Sequence, residues 1–241
     1  MHSGSLIVKG LMSDRFFLET PPVEERVIFD EAESQHLAKV MRAQIGDLIT
    51  AFDGTGWEYQ IELTSVGKKK VEGAIRDKAE VSRESSRQLT LAVALPKGDR
   101  QRWLVEKAVE LGVTRLIPLI TKRGVAQPVE KAIERLRRAV IEASKQCRRN
   151  HLMVVEAGQT LGQVLANRPA YSLLLHPTGE PLAANTFEAA NEIVALIGPE
   201  GGFSDEEVAQ AVELGCQVIS LGPRILRVET AALAIAALVQ H

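Results

Sequence analysis

From Leu89 onward the chain alternates short apolar runs with stretches of helical length, and this alternation limits its fold more than any other feature. The runs are LTLAVAL (89–95), RLIPLI (115–120), SLLLHP (172–177), EIVALIGP (192–199) and QVISLG (217–222). Helices are predicted over 100–111, 129–149, 205–214 and from Glu229 to the end. Strands that read as continuous apolar runs are covered on both faces, which is the situation of a parallel sheet sandwiched by helices. The predicted fold class for this region is α/β.

The first part reads differently. RVIFD (26–30), DLITAFD (47–53), EYQIELTSV (58–66) and VEGAIRD (71–77) are short, closely spaced and separated by IGD, DGTG and VGKKK. Such spacing predicts a small antiparallel β-barrel. One helix interrupts it at SQHLAKVMRA, with Leu37, Val40 and Met41 on one face behind an N-cap at Ser34. The polar stretch KAEVSRESSRQ (78–88) reads as a linker. The expected organisation is a Gly/Ser-containing leader over 1–12, a β domain over 13–84 and an α/β domain over 85–241.

No apolar run reaches the roughly 18 residues that span a bilayer, and the two cysteines, Cys147 and Cys216, are far apart with no metal-ligand spacing. A soluble protein of the reducing cytoplasm is expected, with no membrane partner and no metal. The net charge of −2 conceals a strongly uneven distribution. Residues 97–149 carry 14 basic and 6 acidic side chains, a local charge of +8. An excess of that size attracts polyanions.

Parallel sheets bind ligands in the loops beyond the carboxyl ends of their strands. Three such loops combine glycine with proline: LLLHPTGEP (173–181), ALIGPEGGFS (195–204) and SLGPRILRVETAALA (220–234). In the second, Gly198, Gly201 and Gly202 permit close approach of backbone to a ligand, and Ser204 is placed to cap a helix whose first turn is Asp205, Glu206 and Glu207. Those acids disfavour a phosphate there. Neither a P-loop nor a Rossmann fingerprint occurs elsewhere in the chain.

LIGPEGGFSDEEV, LGPRILRVETAALAIAAL and the upstream KGDRQRWLVEKAVELGV together resemble the signature blocks of the RsmE family, bacterial methyltransferases acting on N3 of a uridine in 16S ribosomal RNA. The resemblance extends to HLAKVMRAQIGDLITAFDGTGWEY and EASKQCRRN, and so covers the chain from Asp14 on. It departs from the family pattern at TKRGV (121–125) and where Leu152 and Met153 follow RRNH. The resemblance implies a PUA-like β-barrel followed by a SPOUT-type α/β domain with a trefoil knot, a homodimer, and S-adenosylmethionine as cofactor. It places the cofactor against Leu175, His176, Ile197, Gly198, Pro199, Glu200, Gly201, Gly202, Leu221, Gly222, Ile225, Leu226, Thr230 and Ala231.

Arg227 and Glu229 are the expected catalytic pair: Arg227 stabilises charge on the uracil, and Glu229 serves as base, as holder of Arg227, or only as a helix cap. The partner is 16S ribosomal RNA, free or in the assembled small subunit. On the helix over 129–149 a basic stripe of Lys131, Arg135, Arg138, Lys145 and Arg149 follows the helical period and is expected to face phosphates. Arg42, Lys68, Lys69, Lys70, Lys97, Arg100, Arg123 and Arg224 complete the expected RNA surface. Two rival readings are a knotted methyltransferase acting on another RNA or atom, and a non-catalytic RNA-binding assembly factor.

Overall fold

A computed structural model describes residues 15–125, 128–166, 171–182, 187 and 190–240; the predicted leader, 1–12, lies outside these. Contacts divide the chain into two compact units. One takes the residues up to Arg83 together with Lys145–His151, and the other takes Glu84–Ser144 with Leu152–His241.

The first unit is built on five strands: β1 (Arg15–Phe17), β2 (Arg26–Ile28), β3 (Leu48–Phe52), β4 (Trp57–Val66) and β5 (Val71–Glu80). Their order is β1-β3-β4-β5-β2, antiparallel except for the parallel pair β1 and β3. In β4 the side chains of Tyr59, Ile61 and Leu63 alternate inward, as the two-residue period of a half-buried strand requires. They join Phe16, Val27, Phe29, Leu37 and Val71 in one apolar core.

The predicted helix near Ser34 forms with a different register. α1 (Glu31–Gln35) is capped by Asp30, whose carboxylate accepts from the amide of Glu33 at 2.7 Å, and it continues as a π-helical segment, His36–Met41. Ser34 is buried; its hydroxyl donates to the carbonyl of Phe29 and accepts from the amide of Val71. The wider π turn breaks the three-and-four spacing. Only Leu37 of the expected stripe is therefore buried, while Val40 and Met41 are exposed.

Lys145 and Arg149 depart from the expected basic stripe. Lys145 donates to the buried carboxylate of Glu33 and is itself largely buried. Arg149 is only 4% exposed, because Arg148 adopts a left-handed conformation just after the helix and takes the chain off the helical period. Neither side chain can face a phosphate backbone. Asn150 bonds the guanidinium of Arg15 and the carbonyl of Val81.

Burial raises the pKa of Glu33 in spite of Lys145. A carboxyl with a raised folded pKa contributes stability below its unfolded pKa and loses it as the pH rises through the folded value. The stability difference between the wild type and Glu33→Gln is therefore expected to move against the wild type as the pH rises from about 4.5, read from urea midpoints. A pH-independent difference would refute this.

The second unit holds β6 (Gln88–Val93), β7 (Arg115–Ile120), β8 (Val154–Val155), β9 (Gln159–Thr160), β10 (Tyr171–Pro181), β11 (Glu192–Ile197) and β12 (Gln217–Ser220). All pairings are parallel, in the order β12-β10-β11-β6-β7-β8, with β9 also on β7. The helices are α2 (Arg100–Glu110), α3 (Glu130–Cys147), α4 (Leu161–Ala166), α5 (Asp205–Glu213) and α6 (Val228–Gln240). Leu161, Val164 and Leu165 of α4 and Ala211 of α5 share a core with Ala92, Leu174, Val194 and Leu196 of the sheet. α6 packs on α2, β6 and β11, burying Ile235, Ala236 and Val239. No described helix is long and apolar enough to cross a membrane.

Candidate active site

Parallel pairing brings Leu175, Ile197 and Ile219 level on three neighbouring strands, since Leu175 of β10 pairs with both of the others. The residues at and beyond this level line one cavity: His176 and Pro177 farther along β10, Gly198 to Glu200 with Gly202 and Phe203 after β11, and Ser220 ending β12 with Leu221, Gly222, Arg224 to Leu226 and Val228 after it, together with Ala231 of α6. Of the residues expected to hold the cofactor, Leu175, His176, Ile197, Gly198, Pro199, Glu200, Gly202, Leu221, Gly222, Ile225, Leu226 and Ala231 line it. Gly201 and Thr230 do not. Pro177, Phe203, Ser220 and Val228 were missed, although each lies within one of the three loops already singled out. Arg224, expected at RNA, stands in the lining.

The walls are largely aliphatic, glycine or proline, and Ile225 is 87% exposed on the last loop. An aliphatic side chain so exposed gains most by covering an apolar ligand face. Gly202 has φ +70°, a left-handed conformation that closes the turn bonding its amide to the carbonyl of Pro199 at 2.8 Å. The next residues start α5 with a capping box: the amide of Ser204 donates to Glu207 at 2.7 Å and the amide of Glu207 to Ser204 at 3.3 Å. Hydrogen bonding by its own amide, then by Ser204, with Lys122 nearby, holds the Glu206 carboxyl below its usual range. That helix end is already supplied with negative charge.

Two arginines engage the same loop. The guanidinium of Arg100, at the start of α2, lies 3.1 Å from Glu200 and 3.5 Å from Glu229. Arg123, in the loop after β7, donates to the carbonyls of Gly201 at 2.9 Å and Phe203 at 3.2 Å. Glu229 is buried, and its second carboxylate oxygen has no hydrogen-bond partner among the described residues. Its ion-pair partner is Arg100, not Arg227. Arg227 is exposed, has no ion-pair partner among the described residues, and sits between Leu226 and Val228, which both line the cavity.

The basic residues expected at RNA divide into groups. Lys97, Arg135 and Arg138 come together in one groove with Arg102, formed by the start of α2 and one side of α3. Lys68, Lys69 and Lys70 are exposed at the β4–β5 turn of the first unit, as is Arg42 after the π-helical segment. Both cysteines are free thiols, and no group of three or more metal-capable side chains occurs among the described residues.

Comparison with known proteins places this geometry. An RNA methyltransferase domain family matches residues 83–240, and an RNA methyltransferase PUA domain family matches 29–76. The ribosomal RNA small subunit methyltransferase E of Bacillus subtilis is 31% identical over 237 residues, covering 91% of this chain and 93% of its own. The protein of the same name from Synechocystis is 34% identical over 218 residues, covering 87% and 71%. Among solved structures, a ribosomal RNA small subunit methyltransferase E from Neisseria gonorrhoeae bound to S-adenosyl methionine superposes with a TM-score of 0.84 at 32% identity, covering 92% of this chain and 94% of that one. A Legionella pneumophila protein described as a methyltransferase in complex with SAM superposes at 0.87 with 30% identity, covering 95% and 98%. With matched domains in both parts of the chain and relatives of one name along nearly all of it, the chain belongs to the ribosomal RNA small subunit methyltransferase E family.

Proposed function

We propose that this protein is an S-adenosylmethionine-dependent methyltransferase that modifies N3 of a uridine in 16S ribosomal RNA. The observation that carries the reading is the single cavity lined by all three glycine- and proline-containing loops. Its lining suits the cofactor: aliphatic walls accept an adenosine and a methionine chain, while the acids of α5 repel a phosphate. When bound, S-adenosylmethionine supplies an electrophilic methyl group.

The remaining task is to make N3 nucleophilic. Its proton dissociates about two pH units above neutral, so generating the anion at pH 7 costs about 2.7 kcal/mol. One well-placed donor to a developing oxyanion stabilises it by about 3 kcal/mol. Arg227, exposed and uncommitted, suffices for that on the uracil oxygens. Glu229 is closed off from solvent and paired with Arg100, so it acts by fixing the start of α6, which directly follows Arg227.

Lys97, Arg135 and Arg138 bind RNA phosphates in their groove on the second unit, and Lys68, Lys69, Lys70 and Arg42 offer RNA a separate basic surface on the first. The resemblance supports a trefoil knot in the cavity loops and a homodimer through the α/β unit, to which the exposed Trp103 of α2 and Leu238 of α6 offer apolar surface. The activity belongs to the cytoplasm, where the RNA is.

Calorimetry is expected to show S-adenosylmethionine binding; none at millimolar cofactor would refute the enzyme. Cells lacking the gene should lose 3-methyluridine from 16S RNA, and an unchanged signal would refute the assignment. Arg135→Ala with Arg138→Ala should weaken RNA binding and lower the slope of log affinity against log salt by about 2. An unchanged slope would remove the groove from the RNA path.

A further inference from the structure

The loop from Glu200 to Phe203 contains two adjacent glycines, and left to itself such a segment samples many conformations. In the structure it is bonded by two arginines that come from two different strand-to-helix connections. Arg123 takes the carbonyls of Gly201 and Phe203, and Arg100 takes the carboxylate of Glu200. Arg100 also reaches Glu229 on α6. A cation at the first position of α2 opposes the helix dipole. The two carboxylates explain why it is tolerated there.

We propose that Arg100 and Arg123 are positioning residues that hold the Glu200–Phe203 loop in its ligand-binding shape, and that Arg100 couples that loop to Glu229. The proposal rests on the reading that the cavity takes S-adenosylmethionine. Arg123 acts on the loop alone. Arg100 acts on both sides of the reaction, because the same guanidinium holds a cavity-lining carboxylate and the buried carboxylate at the start of α6. Both side chains were expected at RNA from sequence, and in this role their charge is spent within the protein.

The test uses the full chain and the variants Arg100→Ala, Arg100→Lys and Arg123→Ala. Hydrogen exchange of the amides of residues 200–203, without ligand, is expected to accelerate about tenfold or more in both alanine variants, with Arg100→Lys between them and the wild type. Cofactor affinity should fall about tenfold in each alanine variant. Arg123→Ala should raise the cofactor KM more than it lowers kcat, whereas Arg100→Ala should lower kcat beyond what saturating cofactor restores. Unchanged exchange in both alanine variants would overturn the proposal. So would an Arg100→Ala defect confined to the KM for RNA, which would make Arg100 a phosphate contact. A wild type that fails to bind cofactor would refute the function, and the exchange data would still decide whether the arginines hold the loop.

Discussion

Arg227→Ala is expected to slow methyl transfer by about 10² to 10³-fold at saturating cofactor and RNA, the usual loss when one donor to a developing oxyanion is removed. The side chain is exposed and outside the cavity lining, so its removal uncovers no buried charge and leaves no void. Stability should move by less than about 0.5 kcal/mol, and cofactor affinity should stay within about tenfold. Arg227→Lys should recover only part of the rate, because an ammonium cannot donate in a planar fork to neighbouring oxygens. Single-turnover methylation and calorimetry together check this. Collapse of cofactor binding in a folded Arg227→Ala protein would show that Arg227 builds the cavity instead of serving the acceptor.

Gly179→Ala is expected to cost about 3 kcal/mol or more, toward the upper end of what overpacking does. A Cβ on Gly179 would stand 2.5 Å from the carbonyl carbon of Ile219 and 2.7 Å from the backbone nitrogen and oxygen of the same residue. Those atoms belong to β12, so no rotamer change relieves the clash and the strands must part. β10 meets β12 twice, through Leu173–Leu175 and again through Glu180 and Pro181, and Gly179 lies at the return. His176 and Pro177 just before it, and Leu221 and Gly222 just after β12, line the cavity. Cofactor affinity should therefore fall together with the urea midpoint. An unchanged midpoint would show that the return strand yields at no cost.

The elements legible in the sequence were those long enough to show a period or a continuous apolar run. The strands at 88–93, 115–120 and 192–197 and the helices at 100–110 and 205–213 are of this kind. α4, with six residues, and β8 and β9, with two each, are too short to repeat anything, so they could be found only by the pairing they complete. The cavity was legible because glycine and proline after apolar runs mark where a strand ends, as in β11 and β12, or shifts its register, as β10 does between Leu175 and Glu180. The arginines were not. A basic residue looks the same in sequence whether it meets a phosphate or a carboxylate, and only the structure separates Arg135 in an open groove from Lys145 against Glu33 or Arg100 between two glutamates.

The return of Lys145–His151 to the N-terminal unit bears on how the chain is made. While β1 to β5 emerge during synthesis, Lys145, which neutralises Glu33, and Asn150, which bonds Arg15, have yet to be added. Burial raises the pKa of Glu33 even beside Lys145, and without that ammonium the carboxyl lacks the partner that favours its charged form. The N-terminal unit of the structure is therefore complete only once Glu84–Ser144 and the segment after it have been added. The order in which the parts of this protein are synthesised is not the order in which its contacts close.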